Sequence, residues 1–168
     1  MDRKGYKHTI VAMIAIHFVL SVFMALACGT NHPFNNMYIP GKPYAYVIAS
    51  CLLAIPLYMC MGFLYILGKN YLKGMKKCLF YCSFSFFVIL LIGYVICYVL
   101  TKYTVIKGSF MYYVIMNYPT GIIFNSISLA KDALNLAFIL TTIPGPLGFY
   151  IGGVTRLRYE IATNKRGE

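Results

Sequence analysis

Apolar residues in this chain fall into long blocks, separated by connections rich in basic residues, proline or glycine. A helix needs about 20 apolar residues to cross the roughly 30 Å hydrocarbon core of a bilayer. Four blocks reach that length and contain no Asp, Glu, Lys or Arg: Thr9–Cys28, Tyr44–Leu67, Cys78–Leu100 and Leu134–Val154. The pattern therefore predicts an all-α integral membrane protein, a four-helix transmembrane bundle in which residues 1–168 form a single membrane domain.

The composition supports a membrane protein and excludes two other classes. The chain is 60% hydrophobic and 11% charged, whereas a typical soluble domain is roughly 45–50% apolar and about 25% charged. A soluble fold of this length does not bury so much apolar surface. Intrinsic disorder is excluded because too few residues are polar.

Basic residues are concentrated in three of the segments that flank the predicted spans. These residues are Arg3, Lys4 and Lys7, then Lys69, Lys73, Lys76 and Lys77, and finally Arg156, Arg158, Lys165 and Arg166. Because cytoplasmic flanks are enriched in Lys and Arg, both termini are predicted to be cytoplasmic. The small size and the lack of eukaryotic sorting signals favour a bacterial plasma membrane. The basic residues responsible for the net charge of +11 are then expected to contact anionic lipid headgroups rather than nucleic acid.

The first apolar block also resembles a cleavable signal peptide, since a basic start and an apolar run precede Ala25-Leu26-Ala27. The apolar run is longer than the roughly 7–15 residues usual in such peptides. This length favours an uncleaved first helix. Cleavage is the alternative, and it leaves three spans with unchanged orientation.

The segment Phe110–Ala130 is nearly as hydrophobic as the spans, but only two residues separate it from the fourth. A fifth crossing would also move the basic C-terminal segment outside. The centre contains the turn residues Pro119, Thr120 and Gly121. We consider a re-entrant hairpin like those that line transport pathways, or an interfacial helix–turn–helix at the outer surface. The sequence slightly favours the interfacial form.

Small residues recur at helical spacing on two predicted spans. Membrane helices associate by close packing at such residues and by interhelical hydrogen bonds. Ser21, Ala25 and Gly29 form a stripe on the first span, and Gly148 and Gly152 form a GxxxG spacing on the fourth. We interpret both groups as helix-packing faces.

Pro144 and Gly145 lie near the middle of the fourth span and are followed by Pro146. Proline removes a backbone hydrogen bond from a helix. A helix broken in this way exposes carbonyl groups to a substrate or ion, or forms a kink that neighbouring helices accommodate. The kink is the favoured interpretation.

His17 lies near the middle of the first span, one turn before Ser21. A polar side chain at this depth is costly and usually faces the bundle interior. His17 is therefore a candidate for proton handling or ligand binding. The favoured alternative is a neutral imidazole bonded to a neighbouring helix, because no second histidine or acid is predicted at the same depth.

Asp132 and Asn135 lie at the predicted outer start of the fourth span. An acid in the first turn complements the helix dipole; the functional alternative is binding of a cation or a lipid headgroup. The chain has only four acids, too few for a convincing paired-carboxylate site, and its six cysteines include no C-x-x-C pair. We therefore predict no catalytic residue, metal site or cofactor.

Three function classes follow from these observations. The favoured one is a non-catalytic subunit or accessory partner of a membrane complex, bound to another membrane protein or to copies of itself and surrounded by membrane lipids. The alternative is a small oligomeric transporter or channel that uses the broken fourth span and His17. The second alternative is an intramembrane enzyme acting on lipid or peptide, against which the scarcity of acids argues.

Overall fold

The computed structural model describes residues 3–28, 42–66, 74–103, 113, 116, 117, 119 and 136–164. The elements are α1 (Arg3–Cys28), α2 (Pro43–Ile66), α3 (Met75–Tyr103), a 3-10 helix (Leu136–Thr142) and α4 (Pro144–Asn164). Within these ranges, three stretches are long and apolar enough to cross a membrane: Gly5–Ala27, Val47–Ile66 and Met75–Leu100. The all-α prediction is therefore confirmed, with three helices of membrane-spanning length and composition.

The fourth predicted span, Leu134–Val154, is divided between two elements. The 3-10 helix ends at Thr142, and α4 begins at Pro144 and continues well beyond the predicted end. The residue before a proline disfavours the α conformation, and proline has no N–H to donate to a preceding turn. The structure therefore shows a change of helix type just before Pro144, in place of one continuous span.

Helices α2 and α4 approach until their backbones touch. A side-chain carbon added at Gly148 would lie 2.6 Å from the Ile55 carbonyl oxygen, and one at Gly152 would overlap the Met59 carbonyl. On α2, Gly62 meets the α4 backbone in the same way. Only glycine permits this distance, so these residues fix the tightest helix pair in the described part of the chain.

Helix α1 packs against its neighbours through side chains. On one side it buries Met13 and Leu20, and the Tyr65 hydroxyl of α2 donates to Thr9 Oγ1 at 3.1 Å. The opposite side exposes apolar residues to the surroundings. We call this surface the α1 outer face; it consists of Val11, Ala15, Phe18, Val19, Phe23 and Leu26.

Contacts along the helices show their relative directions. Helix α2 is antiparallel to α1 and parallel to α4, and α3 is antiparallel to α4 because Gly145 meets Phe86 while Gly153 meets Leu79. The first residues of α1 and α3 and the last residues of α2 and α4 therefore lie at the same end of the bundle. We call it the basic end, after its described residues Lys7, Lys76, Lys77, Arg156 and Arg158.

Candidate functional site

The centre of the bundle contains a hydrogen-bonded pair, His17 of α1 and Tyr58 of α2. The Tyr58 hydroxyl lies 2.8 Å from His17 Nδ1. His17 is only 5% exposed and Tyr58 only 1%. The tyrosine ring stacks on the imidazole at 5.6 Å between centroids, and the ring of Phe86 from α3 meets it edge-on at 5.0 Å. The imidazole on α1 is thus enclosed by aromatic rings from two other helices, α2 and α3.

The second ring nitrogen of His17 faces a different environment. Nε2 makes no hydrogen bond within the part of the chain that the structure describes, but the Met116 backbone lies close enough to interact with the ring. Ser21 Oγ also donates a long hydrogen bond, 3.4 Å, to the Met116 carbonyl. A neutral imidazole has one donor and one acceptor nitrogen. When Tyr58 donates to Nδ1, Nε2 carries the proton and is a donor.

A second polar cluster joins Tyr113 and Asn117 to the 3-10 helix. Asn117 Nδ2 donates to the Tyr113 hydroxyl at 2.9 Å and to the Thr141 carbonyl at 3.1 Å. The Tyr113 hydroxyl is in turn 2.9 Å from Thr141 Oγ1. All three residues are buried, where a polar group is costly unless it is hydrogen-bonded. The cluster meets this requirement and fixes Asn117 against the bundle.

These contacts bring part of the segment Phe110–Ala130 into the interior of the structure. Met116 contacts the stripe of α1 that carries His17 and Ser21, and Pro119 is buried together with Asn117. Thr120 and Gly121 lie outside the described residues, as do the other candidates Gly29, Asp132 and Asn135.

The start of α4 lies beside the His17–Tyr58 pair. A side-chain carbon at Gly145 would be 3.5 Å from the Tyr58 ring and 3.4 Å from the Phe86 ring, and Pro144 is buried next to it. The first turn of α4 offers few N–H groups, since two of its residues are prolines and Leu147 N–H bonds the Ile143 carbonyl at 3.0 Å. This helix start therefore packs against aromatic rings and is a poor anion site.

The small residues of the predicted stripes occupy different environments. Ser21 is fully buried and Ala25 half-buried on α1. Gly148 and Gly152 lie directly against the α2 backbone.

Sequence reasoning missed the partners of His17 and the whole second cluster. Tyr58, Asn117 and Thr141 are polar residues inside apolar blocks, and that position is the signal that could have identified them. Which of them pair depends on helix rotation, which apolar blocks do not specify.

The arrangement provides hydrogen bonds between helices but no assembled catalytic group. Among the described residues, no three His, Cys, Asp or Glu side chains come together as a metal site; Cys78 and Cys82 are close, with their sulfur atoms 3.9 Å apart. No protein family, curated protein or solved structure matches this chain.

Proposed function

We propose that this chain spans a membrane as a non-catalytic subunit and binds another membrane protein through the α1 outer face. One observation carries the proposal: the polar side chains at the centre bind one another. The Tyr58 hydroxyl is hydrogen-bonded to His17 Nδ1. Asn117, Tyr113 and Thr141 are hydrogen-bonded to one another. Side chains committed in this way hold helices together and are not free to act on a substrate.

The α1 outer face is the surface best suited to a partner. Helix α1 buries the smallest share of its apolar window among the three long helices. Along its exposed face, the larger residues Val11 and Phe18 flank the small Ala15. Helices in lipid associate by packing at such small residues, so a second helix fits closely at Ala15.

The orientation of the bundle is part of the same proposal. The basic end faces the cytoplasm of a plasma membrane, because positively charged flanks are retained there. Both chain termini are then cytoplasmic. A reporter domain that is active only in the cytoplasm, fused to either terminus, is expected to be active. Activity of a reporter that works only outside the membrane would overturn the orientation while leaving the partner proposal intact.

Native mass spectrometry of the chain, extracted gently from its own membrane, tests the partner proposal. We expect a stoichiometric complex with a different protein, and we expect Ala15→Trp to release that partner because a bulky ring blocks the close approach. The matched control is Leu53→Trp on the exposed side of α2, which will retain it. A lone chain, or a complex that Ala15→Trp leaves intact, contradicts the proposal.

A small transporter is the second candidate, and the environment of His17 Nε2 favours it. This buried nitrogen has no hydrogen bond among the described residues, and the two rings that enclose the imidazole, Tyr58 and Phe86, lie beside the start of α4. Proton flux into proteoliposomes, followed with an internal pH-sensitive dye, distinguishes the two functions. We expect no flux with the wild-type chain; flux that His17→Gln abolishes would replace the subunit proposal with transport.

A further inference from the structure

An apolar groove of about 390 Å³ runs between the first half of α3 and the start of α4. Its walls come mainly from aromatic and aliphatic side chains, including Phe80, Phe84, Phe87, Leu147 and Tyr150. The groove is open along its length, and all the residues that line it lie within the described part of the chain. It is distinct from the His17–Tyr58 pair and from the α1 outer face.

One polar group interrupts the apolar wall. Ser83 lines the groove and is only 7% exposed, yet its Oγ has no hydrogen-bond partner among the residues described. A serine inside a helix usually bonds back to a carbonyl of the preceding turn, and a buried hydroxyl without a partner is destabilising. Ser83 is therefore a buried polar residue in an otherwise apolar wall.

The groove continues toward positive charge at the basic end. Lys76 and Lys77 precede Phe80 by one helical turn and share its face of α3. Both lysines are exposed, and Arg158 of the antiparallel α4 is exposed at the same end. The described acid nearest to them in α4, Glu160, is already paired with Arg156. The excess positive charge is therefore available to an anion.

We propose that this groove binds an acyl chain of an anionic phospholipid whose phosphate contacts Lys76 and Lys77. The apolar walls fit the hydrocarbon chain, and the lysines complement the headgroup charge. The inference depends on insertion of the bundle in a membrane but not on a protein partner. The proposal assigns one class of lipid, anionic phospholipids, to one site on the surface.

Lipid titration of the purified full-length chain, stripped of lipid in detergent and followed by native mass spectrometry, tests the proposal. The probes are phosphatidylglycerol and phosphatidylcholine with identical acyl chains. We expect phosphatidylglycerol to bind about tenfold more tightly or better, since each lysine near a headgroup contributes substantially to anionic lipid binding. Equal binding of the two lipids would overturn the proposal.

Two groups of variants locate the site. Lys76→Gln with Lys77→Gln will remove the preference for phosphatidylglycerol, whereas the charge-matched control, Lys42→Gln with Lys102→Gln at the other end of α2 and α3, will keep it. Leu147→Trp will weaken binding of both lipids by filling the groove, with helix content checked by circular dichroism. A preference that survives the first pair, or displacement of the lipid by equimolar inorganic phosphate, would contradict an acyl-chain site. The lysine pair lies on the surface, so this test does not depend on the folding of the Leu147 variant.

Discussion

Helices α4 and α1 both contact α2, but by opposite means. Helix α4 meets α2 backbone to backbone through glycines, with no side chain between Gly152 and the Met59 carbonyl. Helix α1 contacts α2 through polar side chains, such as His17 with Tyr58 and Thr9 with Tyr65. The first contact depends on shape and the second on hydrogen bonds, so the two respond differently to substitution.

The two kinds of contact correspond to the two ways in which helices associate in lipid, the environment that we propose for this bundle. Apolar surface alone gives no preference for a neighbouring helix over lipid tails, so association relies on close packing or on hydrogen bonds. A glycine contact is lost as soon as one carbon is added. A hydrogen-bonded contact tolerates changes of size but loses energy when a donor or acceptor is removed. Each substitution below tests one side of this contrast.

The largest effect is expected from Gly152→Ala. The added carbon overlaps the Met59 carbonyl, and backbone cannot move aside like a side chain. We therefore expect the free energy of unfolding to fall by about 3 kcal/mol, the upper part of the usual range for overpacking. The free energy of unfolding, measured by denaturant titration in micelles, reports it. Gly93→Ala on α3 is the matched control, since nothing lies within 4 Å of its added carbon; equal losses at both positions would show that the α2–α4 contact is not limited by backbone.

Asn117→Leu is expected to cost about 2 kcal/mol, because it removes two hydrogen bonds and leaves the buried Thr141 carbonyl without that donor. Hydrogen–deuterium exchange will also rise in the segment around Tyr113, which the amide anchors to the 3-10 helix. The exposed Thr163→Ala, which removes only bonds to its own helix, is the control and will change stability by less than about 0.5 kcal/mol. Unchanged exchange near Tyr113 would mean that other contacts hold this segment.

Tyr58→Phe is expected to destabilise the bundle by about 1 kcal/mol, within the range of interhelical hydrogen bonds in membranes. The ring still stacks on the imidazole, so only the bond to His17 Nδ1 is removed. A double-mutant cycle with His17→Phe isolates the coupling energy between the two side chains. Additive losses in the cycle would show that the interaction between the two side chains contributes nothing to holding α1. Tyr81 is exposed, so Tyr81→Phe is the control for the loss of a tyrosine hydroxyl.

The sequence predicted the long helices well because their signal is simple. An uncharged apolar block fixes the position of a helix along the chain, and the blocks Thr9–Cys28 and Cys78–Leu100 lie within α1 and α3. Two prolines likewise indicated a break near the start of α4. These features depend only on local residues.

The contents of the candidate site depended on information that blocks of apolar residues do not contain. The apolar pattern does not fix the rotation of α2 about its axis, and that rotation decides whether Tyr58 or a neighbour faces His17. The segment around Asn117 combined turn residues with apolar arms, and its place is set by partners such as Thr141, 24 residues away. Tertiary contacts of this kind can be identified only from the packed structure.

The smallest effect is expected from Tyr65→Phe, which tests whether α1 is held along its length or mainly at its centre. The Tyr65 hydroxyl donates to Thr9 Oγ1 at 3.1 Å near the basic end, but this tyrosine is only half-buried, and Thr9 keeps a second contact with the Cys78 thiol at 3.6 Å. We therefore expect a loss of about 0.5 kcal/mol or less in the same unfolding titration, below that of Tyr58→Phe. A larger loss than at Tyr58 would mean that the bond at the basic end, rather than the His17 pair, is the stronger of these two bonds between α1 and α2. The contrast with the glycine-packed α4 would then apply at the end of the bundle instead of its centre.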